Sequence, residues 1–308
     1  MKKGSVYVVG SVNADFVMSV NHLPQQGETI QSEKFLLNYG GKGANQAKSC
    51  AVLGLNTKLI GSVGVDQFGE QALLRLKNSS VDIKHMHVTK KEQTGLALII
   101  EQHGDNRIIL NPGANQIFTS NQLNVLQSLN ENDVVLSQLE IPNEIVLKAF
   151  ESAKKNHATT ILNAAPAKKD ITDIFKLTDI LIINQSEAKI LTNVYPTTTA
   201  DIKQAYKILK DKGIKKLVLT LGENGSVICD KDLMYKAKSF KIKPIDSTGA
   251  GDTFIGGYIK GLMENWNDQE ILTFANACGA YACLSYGAEF SMGTTKEIEK
   301  FIRENKDE

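Results

Sequence analysis

Short apolar runs and longer amphipathic stretches alternate along the chain. Val6–Gly10 is a β-branched, aromatic-containing run that closes in Gly-Ser, the pattern of a buried strand. Ala44–Leu53 has helical composition and stops at Gly54, a glycine placed as a helix C-terminal residue. Thr57–Val63 predicts the next strand, and Asp66 predicts the cap of a helix running to Leu76. The alternation resumes with strands at Asp133–Leu139, Thr159–Asn163, Ile180–Ile183, Leu217–Leu221 and Ser226–Cys229. Between them fall helices at Asn143–Lys155, Ser186–Thr192 and Ala200–Lys212, the last ending at Gly213. Three more helices are predicted at Gly251–Met263, Gln269–Leu284 and Thr295–Arg303. Strand, helix, strand, helix in this order argues for parallel βαβ units.

Two regions break the repeat. Asp15–Tyr39 has strand-like stretches without a helix, and Thr94–Asn111 alternates around His103-Gly104-Asp105-Asn106 as a β-hairpin does. Together they predict a small sheet standing off the main body as a lid. The expected fold is α/β: a Rossmann-like, mainly parallel sheet flanked by helices, with a small β-sheet lid. Residues 1–14, 40–92 and 113–308 are assigned to the body, and 15–39 and 93–112 to the lid.

Composition narrows the function. The 308 residues include 35 Lys and Arg against 34 Asp and Glu. That balance makes no electrostatic case for nucleic acid or an anionic membrane as partner. Cys50, Cys229, Cys278 and Cys283 lack the short spacing of a zinc knuckle and read as reduced thiols, which suits the cytoplasm. Met1-Lys2-Lys3 precedes only a short apolar run, so no signal peptide is expected, and no run approaches the ~18 apolar residues of a span. His85 and His87 face one way on a strand, but no third ligand is near in sequence, and a solvent-exposed pair is the simpler reading.

Two glycine-rich stretches carry candidate chemistry. Asp246-Ser247-Thr248-Gly249-Ala250-Gly251-Asp252-Thr253-Phe254 puts glycines and a carboxylate at a helix start. Unpaired N–H groups and a partial positive charge there suit a phosphate, and an aspartate in the same turn could take a proton. Read alone, it is equally an ordinary loop followed by an aspartate that complements the helix dipole. Tyr39-Gly40-Gly41-Lys42-Gly43-Ala44-Asn45-Gln46-Ala47 also precedes a helix. It is not a Walker A loop, because Lys42 is followed by Gly43, nor a dinucleotide fingerprint. It reads either as a tight strand-to-helix turn or as a close-approach loop directing Lys42 and Asn45 at a polyhydroxylated ligand.

The two stretches, in this order, resemble the paired signatures of the PfkB carbohydrate kinase family. Gly10-Ser11-Val12-Asn13-Ala14-Asp15, Gln138-Leu139-Glu140-Ile141-Pro142 and Asn184-Gln185-Ser186-Glu187-Ala188 extend the resemblance from about Val6 to Gly293. It implies ATP-dependent phosphorylation of D-ribose at the 5-hydroxyl. Asp252 would be the general base, and the backbone of Gly249, Ala250 and Gly251 the anion hole. Sugar contacts would fall to Asn13, Asp15, Gly41, Lys42, Asn45, Glu140 and Asp252. The nucleotide side would involve Asn184, Glu187, Thr220, Gly222, Gly225, Gly251 and Asn276. Asn184 and Glu187 would lie near the phosphates and Mg2+, although the pair also fits a capping box. A K+ site would draw on Asp246, Thr248, Ala282, Ser285, Gly287 and Ser291. The resemblance further implies a homodimer formed through the lid.

Overall fold

The computed structural model describes residues 4–102, 105–287 and 291–305. Its strands are β1 (Val6–Val9), β2 (Asn13–Ser19), β3 (Lys34–Gly40), β4 (Thr57–Gly64), β5 (Asp82–Thr89), β6 (Gly95–Gln102), β7 (Asp105–Asn111), β8 (Val134–Ser137), β9 (Thr159–Asn163), β10 (Ile180–Asn184), β11 (Lys216–Thr220), β12 (Ser226–Asp230) and β13 (Leu233–Ala237). The helices are α1 (Lys42–Val52), α2 (Gln67–Asn78), α3 (Asn143–Lys155), α4 (Thr172–Lys176), α5 (Gln185–Thr192), α6 (Thr199–Asp211), α7 (Ala250–Met263), α8 (Asp268–Ala282) and α9 (Thr295–Glu304).

Nine strands form the main sheet in the order β13-β12-β11-β10-β9-β8-β1-β4-β5. From β11 to β5 every neighbour pair is parallel, and β12 and β13 continue antiparallel at one side. The apolar runs are continuous because both faces are covered. Val6 and Val8 of β1 enter one core with Ala47 of α1 and Phe254 and Tyr258 of α7. Tyr7 and Val9, pointing the other way, enter a second core with Phe150 of α3 and Leu209 of α6.

The sheet's two outermost strands are absent from the sequence-predicted set. β5 and β13 mix polar and apolar positions, and Val88 and Leu233 are exposed on them. An edge strand needs no continuous apolar run, so its pattern is weak. The five-residue α4 is also unpredicted, being too short to show a period.

A second, four-stranded sheet has the order β3-β2-β6-β7. β2 pairs antiparallel with β3 from Asn13↔Gly40 to Ser19↔Lys34, and parallel with β6 from Asn13↔Gly95, so Asn13, Ala14 and Gly40, expected in the body, belong to this sheet because the strand pairing runs past the expected boundaries. β6 and β7 pair antiparallel as the expected hairpin, whose turn residues His103 and Gly104 lie outside the described residues. Phe16 of β2 packs edge-on against Phe68 of α2 at 5.4 Å and tilted against Phe35 of β3 at 6.0 Å, which ties this sheet to the body.

Among the described residues, no helix is long and apolar enough to cross a membrane. Cys50, Cys229 and Cys278 are buried free thiols and Cys283 is half-buried. His85 and His87 are half-buried on β5 rather than fully exposed, and no group of three metal-binding side chains occurs among the described residues.

Candidate active site

The parallel strands deliver their C-terminal ends to one edge of the sheet, where ligands bind in open α/β folds. Asn163, Asn184 and Thr220 are the last residues of β9, β10 and β11. Opposite them sits the start of α7. Its N-cap, Gly249, has φ 79°, and no side chain caps the helix. The first intrahelical backbone bond runs from Thr253 N–H to Gly249 O, so Gly251 and Asp252 lie in the turn whose N–H groups have no carbonyl one turn back. A Cβ on Gly251 would find no atom within 4 Å. The helix therefore opens onto a cavity of about 140 Å³, lined by Lys42, Asn184, Glu187, Gly249, Gly251 and Asp252 among others.

Asp252 is buried, and both its oxygens are engaged from α1. Asn45 Nδ2 donates to Oδ2 at 3.0 Å, and Gln46 Nε2 donates to Oδ1 at 2.8 Å. The two glycine-rich stretches thus meet across 206 and 207 residues of chain. Gly43 makes the approach possible: a Cβ there would stand 2.5 Å from Gly10 C and from Ser11 N. α1 can rest on the end of β1 only without that atom.

The residues expected to contact the sugar gather round the same carboxylate. Ser11 Oγ donates to Glu140 Oε2 at 2.5 Å, the Lys42 backbone N–H donates to the same oxygen at 3.1 Å, and the Gly43 N–H reaches Ser11 Oγ at 3.3 Å. Asn115 Nδ2 donates to Asn13 Oδ1 at 2.7 Å, while Asn115 Oδ1 accepts from Val12 N–H, which locks the Asn13 amide. Gly41 is the N-cap of α1 at φ 87°. Asp15 lies against Gly40, where a Cβ would approach its Oδ2 to 2.2 Å.

Charges concentrate here. Burial, then the Glu140 and Asp252 carboxylates, push Asp15 up to about 7 from 3.8. Burial works against the Lys42 ammonium, but Asp252, Glu140 and Glu187 together raise its pKa above the usual lysine value. Burial also raises Glu187, opposed by the Asn184 N–H and Lys42. The Asp15 shift has a signed consequence. Between the ordinary value of 3.8 and about 7, the folded protein binds a proton that the unfolded chain has released, so stability falls as pH rises through that window. Asp15→Asn removes this dependence. In thermal melts without sugar it is expected to match the parent at pH 4 and to exceed it by roughly 5 °C at pH 8, from about 1.4 kcal/mol per pKa unit, part of it screened, and a few degrees per kcal/mol. A difference that does not change with pH would remove Asp15 as the cause.

Of the residues expected on the nucleotide side, Asn184 and Glu187 form a reciprocal capping box on α5. Asn184 N–H donates to Glu187 Oε2 and Glu187 N–H to Asn184 Oδ1, both at 2.8 Å. Both residues also line the cavity, so the cap does not remove them from the site. Thr220 lines the cavity too. Gly222 and Gly225 close a tight turn after it, with Gly225 N–H on Gly222 O at 3.0 Å. Asn276, buried on α8, donates Nδ2 to the carbonyls of Ala237 and Lys238 at 3.1 Å, which fastens the end of β13 to that helix.

Asp246 draws two loops together. Its Oδ1 accepts Thr248 N–H at 2.9 Å and its Oδ2 accepts Gly287 N–H at 2.8 Å. Burial opposes its charge, yet these N–H groups and the Thr248 hydroxyl hold its carboxyl below the usual range. Ala282 ends α8, where terminal carbonyls lack intrahelical donors. Ser285 and Gly287 follow, and Ser291 is buried. A carboxylate beside backbone carbonyls fits an oxygen-seeking monovalent cation. The Glu187 carboxylate and Asn184 amide on the cavity wall likewise fit a hard divalent cation through oxygen and water. A second, smaller cavity of about 40 Å³ lies between the small sheet and this loop, lined by Asp15, Lys34, Asn38, Asp246, Thr248 and Tyr286 among others. Lys34 Nζ sits 4.6 Å over the Tyr286 ring.

Nothing in the sequence pattern singles out Gln46, Ser11, Asn115 or Asn163. Each is a polar residue in or beside a quoted motif or strand end, and only the folded chain shows what it touches.

A glycine-opened helix start beside a buried aspartate, near a cluster of carboxylates and amides, fits a sugar kinase. The family profile described as pfkB family carbohydrate kinase matches residues 3–295, and the chain belongs to that family. Within it, sequence and fold are those of a ribokinase-type sugar kinase. The ribokinase of Haemophilus influenzae is 35% identical over 299 residues, covering 96% of this chain and 97% of that protein. The Lactococcus lactis ribokinase is 34% identical over 301 residues, with 97% of each covered. A solved structure of Arabidopsis thaliana ribokinase complexed with ribose and ATP superposes with a TM-score of 0.90 at 30% identity, covering 98% of this chain and 99% of that one.

Proposed function

We propose that this kinase transfers the γ-phosphate of ATP to the 5-hydroxyl of D-ribose, giving D-ribose 5-phosphate and ADP. The observation that carries the reading is the buried Asp252 carboxylate at the uncapped start of α7, facing a cavity that also holds Lys42. Asn13, Asp15, Gly41, Lys42, Asn45 and Glu140 orient the sugar, since carboxylates and amides can each pair with two hydroxyls. Asp252 takes the proton of the attacking hydroxyl. The backbone N–H groups of Gly249 and Gly251 receive the negative charge of the transferring phosphoryl group, and Ala250 N–H joins them by releasing Ser247 O, to which it donates at 3.2 Å. Thr220, Gly222, Gly225 and Asn276 shape the nucleotide side, the last two by fixing the turn and the end of β13. Asn184 and Glu187 would hold Mg2+, largely through water, and Asp246, Thr248, Ala282, Ser285, Gly287 and Ser291 would hold K+. When bound, these cations supply charge neutralisation at the phosphates and order in the 246–251 loop.

The small sheet is the lid: it carries Asn13 and Asp15 and closes over the sugar, excluding water. Its exposed Phe35, Leu37, Ile108, Ile109 and Leu110 favour pairing of two lids in a homodimer. The chemistry and the cytoplasmic composition suit an intracellular sugar pool. ADP release with ribose and ATP, with and without K+, tests the reading on a preparation whose mass by light scattering should be twice that of the chain. Ribose should give the highest kcat/KM in a panel that includes deoxyribose, and turnover should drop several-fold when K+ is replaced by a large organic cation. A higher kcat/KM for another sugar would overturn the substrate assignment, and a monomer would overturn the lid pairing.

A further inference from the structure

Asp252 is held by a chain of buried amides, of which Asn163 also reaches the cavity wall. Gln46 is fully buried. Its Nε2 donates both to Asp252 Oδ1 at 2.8 Å and to Asn163 Oδ1 at 3.0 Å. Its Oε1 accepts from Nε2 of Gln138, also fully buried, at 2.6 Å. Asn163 in turn donates to Ile182 O at 3.1 Å. The orientation of every amide in this chain follows from one end. A carboxylate can only accept, so Gln46 must present its NH2 group to Asp252, which leaves Oε1 facing Gln138. Gln138 must then donate, and its own Oε1 is left buried beside Gly10 with no hydrogen-bond partner. A buried acceptor without a donor is unfavourable, and an apolar residue there would avoid it. The fold keeps the amide, and what the amide does is fix Gln46.

We propose that Gln46 is a positioning residue for Asp252, with Gln138 as the lock on its orientation. Asn45 is half-exposed and lines a separate pocket beside Tyr39 and Gly40, so it can exchange its bond to Asp252 for one to the sugar. Gln46 cannot, because it approaches from the protein side. When Asn45 turns to the sugar, Gln46 alone keeps the carboxylate plane aimed at the attacking hydroxyl. Other charged groups face Asp252 as well: Lys42 from α1, Glu187 from α5 and Asp15 from β2. Among the bonds described, only those of Asn45 and Gln46 reach the carboxylate from α1.

The inference rests on Asp252 being the base, so its test separates the two claims. Gln46→Met keeps the volume and removes the donor. It is expected to lower kcat between about 10- and 100-fold, as a small misplacement of a catalytic group does, with KM for ribose within about twofold. Gln138→Met leaves Gln46 in place but unlocked, and should lower kcat less, about 3- to 10-fold, with the same unchanged KM. The double variant should be no slower than Gln46→Met, because Gln138 acts only through Gln46. If Gln46→Met does not fold, the kcat and KM of Gln138→Met decide. Parent-like kcat in either folded variant, or a loss confined to KM, would overturn the positioning role. Asp252→Asn is measured in parallel: if it stays active, the base assignment fails first, and if it is inactive while Gln46→Met is not impaired, only the positioning role fails.

Discussion

Asp252→Asn is expected to lower kcat by about 10³-fold or more while ribose still binds. General-base assistance alone accounts for roughly 10²–10⁴ in rate. The substitution keeps the size of the side chain but not its hydrogen-bonding character. Asp252 now accepts from Asn45 on one oxygen and from Gln46 on the other. An asparagine has one carbonyl oxygen and one NH2 group, so one of these donors must face another donor. The variant therefore loses the base and disturbs the residue opposite it. Stability should change little, because relief of the repulsion with Asp15 offsets the lost attraction to Lys42 and the mispaired donor. The measurements are single-turnover ADP formation and ribose binding by calorimetry. Turnover within tenfold of the parent would sink the mechanism.

Gly43→Ala is the second large effect, and it acts through the backbone. The added Cβ would sit 2.5 Å from Gly10 C, 2.5 Å from Ser11 N and 2.7 Å from Gly10 Cα. None of these is the end of a flexible side chain, so α1 as a whole must move off β1. Overpacking of this kind costs about 1–3 kcal/mol, sometimes more. The same helix carries Lys42, Asn45 and Gln46, and a shift of about 1 Å in such groups can reduce the rate 10²-fold. The expected result is a melting temperature lowered by several degrees together with a kcat loss of about 100-fold. Gly251→Ala is the contrasting case. Its Cβ meets nothing within 4 Å, so the fold should hold while the methyl group fills the phosphate side of the cavity and KM for ATP rises. A Gly43→Ala protein with parent-like melting and turnover would show that the contact is not needed.

Much of this arrangement is readable from the chain, and the unreadable parts share physical causes. The central strands declare themselves because both faces are buried: Val6–Val9 has no polar position to confuse the pattern. β5 and β13 do not, because an edge strand such as Asp82–Thr89 is only half covered. Asp252 and Asn45 are legible through their glycine-rich surroundings, and the Asn184/Glu187 box through its spacing. Gln46 and Gln138 are not. An amide's role depends on which of its two ends meets a neighbour, and that neighbour is set by tertiary pairing across more than 90 residues. The site was thus visible as two loops, whereas the layer that orients it became visible only once helix α1 was seen against helix α7.

The meeting of α1 and α7 also bears on when the enzyme becomes competent during synthesis. Lys42, Asn45 and Gln46 emerge early, but Asp252 is made more than 200 residues later. β1, the first strand, completes its pairing only when β8 arrives at residue 134. Contacts of such long range form late and slowly compared with local ones. On the proposed mechanism, a nascent chain can therefore display Lys42, Asn45 and Gln46 without Asp252, and so lacks the group that would activate the sugar hydroxyl. A ribosome-bound fragment is expected to stay catalytically silent until α7 has folded onto α1.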